Sequence, residues 1–571
     1  MSAFDLLSGF FPLVVLGLLT VGVFRLARRS HGGSSIDPAA FTRQVAFYGL
    51  LYISMIFTAT GLVWVFDERT DSVLRPDNQN LAQGLALFAI GLPVFGVLLR
   101  FADRRLFADR EERESLAWSA YLTIASITAL IMSMVGAFQV ITSTIDGRLS
   151  ANLEASDMVL VTVWALFFYI HWVHLRSRHG IRGDLHLAFA SLVGLVPMAI
   201  GQAGLLAILI DRLYDDAVGR ATFSLRDDSA PWLALFLVGC AVWIGVWLRR
   251  YESATRSESW YIAVLPLGTL GGFIAVLATS SRLGYLVLVW AVGDRLGTTA
   301  AGHFDSLPQL AAIGVTGAAS WLYHRSLLSE EATRTDAIRS YDYLLMAASL
   351  VAGVIGAVIV ASTLLDDGAT DKNSVLAGIT LLVVGGATWS PLASRVVVHQ
   401  TGEDGLAEIA SPVRRSYVYA ALGAGGLATL IAAISALEGI FEDTLNANAG
   451  VDTLIDQREQ LAIVVIVGAV LWFHTMALRR DQQRLRTSPP TAPAEQWPSR
   501  IIVLGPIHSG RIDVEQHPGC TIEYWHRIDG DSAETSELDI DVLGETLASQ
   551  AGGEVLVLVD GGATTVIPFE R

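Results

Sequence analysis

The sequence predicts an all-α polytopic membrane protein of about 13 transmembrane helices, arranged as one anchor plus six tandem helical hairpins, with a small C-terminal α+β cytoplasmic domain. Three observations carry this. Of 571 residues, 52% are apolar and only 16% charged, where soluble domains run near 25% charged. Runs of about 20 apolar residues, enough to cross a bilayer, recur from Phe4 to Arg480. The mean hydropathy is +0.49. Together these exclude a soluble enzyme, a fibrous protein and a disordered chain.

The first span, Phe4–Phe24, carries Asp5 near its start and Arg25, Arg28 and Arg29 behind it. A cleavable signal has its positive charge in front, so residues 1–30 are expected to be a retained anchor with its N-terminus outside. Twelve further spans centre on 44–66, 81–99, 116–141, 157–175, 185–210, 231–248, 260–281, 307–324, 341–365, 374–394, 416–437 and 460–478. They pair into hairpins over 41–105, 113–178, 182–250, 258–325, 336–396 and 413–480. After Arg282 the apolar stretch Leu283–Val292 reads either as a continuation of its helix or as a separate re-entrant piece.

Basic residues set the orientation. Loops after odd-numbered spans hold 25 arginines, and the alternate set holds 10 Lys and Arg. That excess places the first set, and the C-terminal tail, on the cytoplasmic side of a cell (plasma) membrane. The opposite loops are acidic, most clearly Glu438–Glu459.

The hairpins repeat. Each second helix has an aromatic residue shortly before its closing arginine: Phe95, Trp172, Trp243, Trp321, Trp389 and Trp472, spaced 77, 71, 78, 68 and 83 apart. Five have a glycine four residues earlier: Gly91, Gly239, Gly317, Gly385 and Gly468. The first helices open with Tyr48, Tyr121, Phe189, Tyr261, Tyr343 and Tyr419. A fixed period in independent features marks tandem repeats. Gly and an aromatic at i, i+4 share a helix face, so the glycine is expected to admit a neighbouring backbone while the ring fills the adjacent space.

A linker over 487–498, with Pro489-Pro490, leads to the tail at 499–571. There Ile501–Leu504, Thr521–Trp525, Val555–Val559 and Thr564–Phe569 read as strands, the last two as a hairpin, and Asp541–Gln550 as a short helix. From Pro498 onward 13 acids face 4 arginines, which argues against nucleic-acid binding. The expected partners are the lipid bilayer and a cytoplasmic protein engaged through this domain.

The alternation of "RQVAFYGLLYISMIFTATGLVWVFD" with "LAQGLALFAIGLPVFGVLLRFADRR" resembles an uncharacterised bacterial membrane-repeat family, domain of unknown function 5671. Similar pieces recur as "IRSYDYLLMAASLVAGVIGAVIVASTLLDD" with "LAGITLLVVGGATWSPLASR" and as "VRRSYVYAALGAGGLATLIAAISALEGIFED" with "VVIVGAVLWFHTMALRR". The likeness covers roughly residues 41–480 and departs from regularity at Pro93, Phe168 and Pro391. It implies tandem two-helix repeats and no activity.

Chemistry-bearing residues are few. His171, His174, His324 and His474 lie near cytoplasmic helix ends and His186 opens the sixth span; paired imidazoles can hold haem or metal, yet interfacial histidines are ordinary. Arg282, Glu438 and Asp342 sit toward span ends, and Gln139 and Gln202 are neutral, so an ion path is not expected. In the tail, "VLGPIHSGR" lacks a phosphate-loop lysine, and His508, His517, His526 and Cys520 lack zinc-ligand spacing. With Cys240 the only other cysteine, no disulfide framework exists. The expectation is no enzyme, with no catalytic, cofactor-binding or metal residues. A non-enzymatic scaffold or sensor leads, and a transporter or permeation pathway for a neutral or lipid-like solute is the alternative.

Overall fold

The computed structural model describes residues 38–71, 78–113, 115–145, 155–179, 184–219, 225–252, 256–328, 334–366, 371–402, 405–447, 450–487, 500–504, 521–525, 554–560 and 563–569. The anchor Phe4–Phe24 lies outside them. Twelve long helices follow in order: α1 (Pro38–Asp71), α2 (Asn78–Ala108), α3 (Leu116–Ile145), α4 (from Ala155 to His179), α5 (Leu185–Val218), α6 (from Leu225 to Tyr251), α7 (from Glu258 to Val292), α8 (Leu307–Leu328), α9 (Asp336–Leu364), α10 (Lys372–Thr401), α11 (Pro412–Leu445) and α12 (Arg458–Thr487). Eleven are long and apolar enough to cross a membrane. The twelfth, α8, covers the expected span 307–324 but is less apolar, with Thr316, Ser320, Tyr323 and His324 on it. The chain is therefore a multi-pass integral membrane protein. Leu283–Val292 continues α7 without a break, so the re-entrant alternative falls away.

Local signals start these helices where the hairpins begin. Ser257, Thr335 and Ser411 each accept a backbone N–H at the head of α7, α9 and α11, and Pro412 follows Ser411 at the first helical position. Gly219, at φ 72°, closes α5 in the left-handed conformation that favours glycine. Pro93 and Pro391 lie inside α2 and α10 without ending them, as membrane helices tolerate. Three stretches widen to π-helix: Tyr169–Leu175 in α4, Ile244–Tyr251 in α6 and Val264–Gly271 in α7. In the last of these the Thr269 hydroxyl donates to the Val264 carbonyl at 2.9 Å, five residues back.

Packing repeats with one offset. Each of α1, α3, α5 and α7 packs on the second helix of its own hairpin and on the second helix of the next: α1 on α2 and α4, α3 on α4 and α6, α5 on α6 and α8, α7 on α8 and α10. Successive first helices also touch, from α1 against α3 to α9 against α11. Four of the five motif glycines sit where two backbones meet. A Cβ on Gly91 would lie 2.8 Å from the Thr58 nitrogen, one on Gly317 2.7 Å from the Ala275 Cβ, and one on Gly385 2.5 Å from the Gly353 nitrogen; Gly239 presses on Met198 in the same way. Gly468 differs, with nothing within 4 Å, and its partner Trp472 is 66% exposed. The last hairpin meets through side chains, Tyr417 against His474 and Leu471 over the Gly425 position. Two aromatic-rich cores run through the array, one around Trp118, Tyr121 and Phe167, the other around Trp247, Trp260 and Tyr343.

The chain divides into two compact units at Met476. The second contains a four-stranded sheet of β1 (Arg500–Leu504), β2 (Thr521–Trp525), β3 (Glu554–Asp560) and β4 (Ala563–Phe569), in the order β2-β1-β3-β4. β1 pairs in parallel with β2 and β3, while β3 and β4 form the expected antiparallel hairpin. Ile501, Val555 and Val557 are fully buried. Parallel pairs require long crossovers, and the intervening segments, including the expected helix Asp541–Gln550, lie outside the described residues.

Candidate functional site

The histidines sort by position. His171, His324 and His474 are 0–2% exposed and recur 153 and 150 residues apart, one in every second hairpin. Each Nδ1 donates to the carbonyl four residues earlier, Phe167, Ser320 and Val470, at 2.8 Å. A carbonyl only accepts, so this bond fixes the tautomer and leaves Nε2 an acceptor. The Tyr121 hydroxyl donates to His171 Nε2 at 2.8 Å and the Tyr417 hydroxyl to His474 Nε2 at 3.3 Å. Opposite His324 stands Gly268, where any Cβ would overlap the ring. His174 is exposed, and His186 is buried against the Trp172 ring at 5.1 Å. Among the described residues no group of three or more His, Cys, Asp or Glu is placed to hold a metal.

The tyrosine expected at Tyr419 is displaced by two residues. Tyr419 is 55% exposed, and Tyr417 turns inward to pack on the Tyr343 ring at 5.1 Å. The same pairing joins Tyr48 and Tyr121 at 5.6 Å. Each pair is closed by a carboxylate on a short helix between hairpins. Tyr48 donates to Glu112 at 2.9 Å and Tyr343 to Glu408 at 3.0 Å, across 64 and 65 residues. In the middle of the array Tyr323 donates to Glu252 at 2.7 Å and accepts from the Trp247 indole at 2.7 Å. Other links between hairpins span a similar separation: Tyr52 with Thr128 and Asp103 with His179 both lie 76 residues apart.

The Glu408 junction is the most charged. Arg334 and Arg339 each donate through Nε to Glu408 Oε2 at 2.9 Å, Arg334 also reaches Asp342 at 2.9 Å, and Arg414 donates to the Tyr343 hydroxyl at 3.0 Å. Burial pushes the Glu408 carboxyl up, but the hydrogen bonds from the two arginines outweigh it and hold it below the usual carboxylate range. Asp342, expected toward an inner helix end, is 1% exposed within this network.

A cavity of about 740 Å³ lies between α5, α7 and α8, inside the range of small-molecule sites. Along α5 it runs from Leu195 to Asp211, about 24 Å at 1.5 Å per residue. Trp232 of α6 closes one wall by lying against Gly204. Asp211, Asp305, Ser306 and Gln309 gather at one end, which is tied together by the Tyr214 hydroxyl donating to the Ala301 carbonyl at 3.0 Å. At the other end the Ser320 hydroxyl donates to Gly268 at 3.0 Å. One turn further along α8 stands His324, whose ring lies 6.0 Å from that of Trp247. The tail residues His508, Ser509, Arg511, His517, Cys520 and His526 lie outside the described residues, and Cys240 is half-buried on α6.

A family model described as a domain of unknown function matches residues 11–170, 184–327 and 339–469. Each segment spans about two hairpins, which is the period of His171, His324 and His474. The match starts at residue 11 and so takes in part of the anchor that the resemblance by motif leaves out. No curated protein and no solved structure matches the chain.

Proposed function

The chain belongs to the membrane-repeat family described as domain of unknown function 5671, and on that premise we propose that it is a non-enzymatic scaffold or sensor of the plasma membrane. The observation that supports this best is the register between hairpins. Tyrosine–carboxylate, tyrosine–tyrosine and arginine–carboxylate contacts recur about one hairpin apart, so the array is braced at its first, third and fifth junctions, which argues against a division into moving halves. In this reading the array carries the acidic C-terminal domain to a cytoplasmic protein partner.

The second reading, passage of a neutral or lipid-like solute, is favoured by the cavity beside α5. Its lining stops at Ser320, one turn short of His324, whose ring packs 6.0 Å from that of Trp247, and this favours a pocket that ends within the array over a through-path.

Orientation and the role of the tail each have a direct test. A reporter fused after Arg571 should be cytoplasmic and one inserted at Asn446 external; swapped locations would sink the orientation. Deleting Ser499–Arg571 should leave the melting temperature of the membrane body unchanged at low and high salt while removing partner binding. A loss that depends on salt would mean that the tail docks electrostatically on the loops, and the adaptor role would fall.

A further inference from the structure

We propose that the α5–α7–α8 cavity is a binding site for a single-chain lipid whose small, uncharged or cationic head donates hydrogen bonds. This goes beyond the scaffold reading and does not depend on it.

Shape argues for one chain. The cavity follows α5 for about 24 Å, longer than half of a hydrocarbon core of about 30 Å. Small residues set its bore: Ala199, Ala203 and Ala207 repeat on the cavity face of α5, with Gly271 opposite on α7. A Cβ on Gly271 would meet only the Pro266 carbonyl, at 3.8 Å, so this glycine borders open space rather than a packed helix.

Polarity argues for the head. Asp211 and Asp305 stand at one end only. Carboxylates accept and never donate when ionised, so they suit a hydroxyl, amide or ammonium head and oppose the carboxylate of a free fatty acid. Deeper in, Thr316 is 93% buried and lines the cavity, and its hydroxyl has no hydrogen-bond partner among the described residues. A buried hydroxyl left unpaired is costly, and a polar linkage in the bound chain would satisfy it. The remaining wall is largely aliphatic, as an alkyl chain requires.

The test uses the full chain in nanodiscs of a two-chain phosphatidylcholine, with two photoreactive probes of equal chain length, a monoacylglycerol and the corresponding free fatty acid. The monoacylglycerol should label peptides of α5, α7 and α8 at least tenfold more than the acid does. Ala203→Trp, which fills the bore, should remove that labelling at least tenfold. The near-isosteric Thr316→Val should weaken it severalfold with the melting temperature unchanged, so a folding defect in the first variant does not decide the matter. Asp211→Asn combined with Asp305→Asn should raise labelling by the acid. Equal labelling by the two probes would overturn the proposal. So would labelling spread over exposed faces such as Leu427, Leu430 and Ile434 of α11, or labelling indifferent to both Ala203→Trp and Thr316→Val, because ordinary surrounding lipid would then account for it.

Discussion

Gly385→Leu is expected to lower the stability of the detergent-solubilised protein by roughly 3 kcal/mol, the upper part of the overpacking range. The first added carbon would stand 2.5 Å from the Gly353 nitrogen and 2.8 Å from the Ser349 carbonyl oxygen, both backbone atoms of α9 that cannot step aside. The helices would have to separate along their closest line of approach. The neighbouring Gly386 supplies the control, since a Cβ there has nothing within 4 Å, and Gly386→Leu should change stability by less than about 1 kcal/mol. Gly468→Leu should be equally mild although Gly468 carries the same Gly-to-aromatic spacing. Thermal or denaturant unfolding of the three variants reads this directly. Comparable losses at Gly385 and Gly468 would show that spacing in the sequence, and not backbone approach, sets the effect.

Glu408→Ala should cost about 3–5 kcal/mol, the range for removing one partner from a buried ion pair. Arg334 and Arg339 would keep Asp342 and Asp336 as partners, but their Nε–H groups and the Tyr343 hydroxyl would lose their common acceptor. The junction also makes stability depend on pH. Because the folded protein holds the Glu408 carboxyl below the usual range, its contribution is complete above the ordinary glutamate value of about 4.3 and is lost as pH falls through the lower folded value. Glu408→Gln should therefore be less stable than the parent at neutral pH and converge on it in acid. Melting curves across that interval that stay parallel for the two proteins would remove Glu408 from the stabilising network.

The pairing of long helices was legible because a bilayer demands long apolar runs and an array of hairpins demands a period. Three details were not legible, each for a local reason. The Gly468 motif is intact in the chain, yet α12 does not bring a backbone against it. Tyr417 and Tyr419 are equally plausible as the opening aromatic of the last hairpin, and only the direction of each side chain on α11 shows that Tyr417 packs on Tyr343. Asp342 does lie near the head of α9, but its burial was not legible because its partners are not beside it: Arg334 precedes it by 8 residues and the Glu408 that shares Arg334 follows 66 residues later.

By itself the sequence determined a membrane-spanning helical array, its hairpin period, the strands of the C-terminal sheet and the crowding of its arginines into alternate loops, because each of these is a property of composition and local spacing. The tertiary structure decided which glycines are closed against a backbone, that one histidine in every second hairpin is turned inward, that carboxylates between hairpins are capped by tyrosines of an adjoining hairpin, and that α5, α7 and α8 leave a cavity. Those features depend on how far apart helices settle and how they rotate about their axes. Residues that make them lie some 32 to 76 positions apart, and periodicity along a single helix carries no information about which neighbour its face will meet.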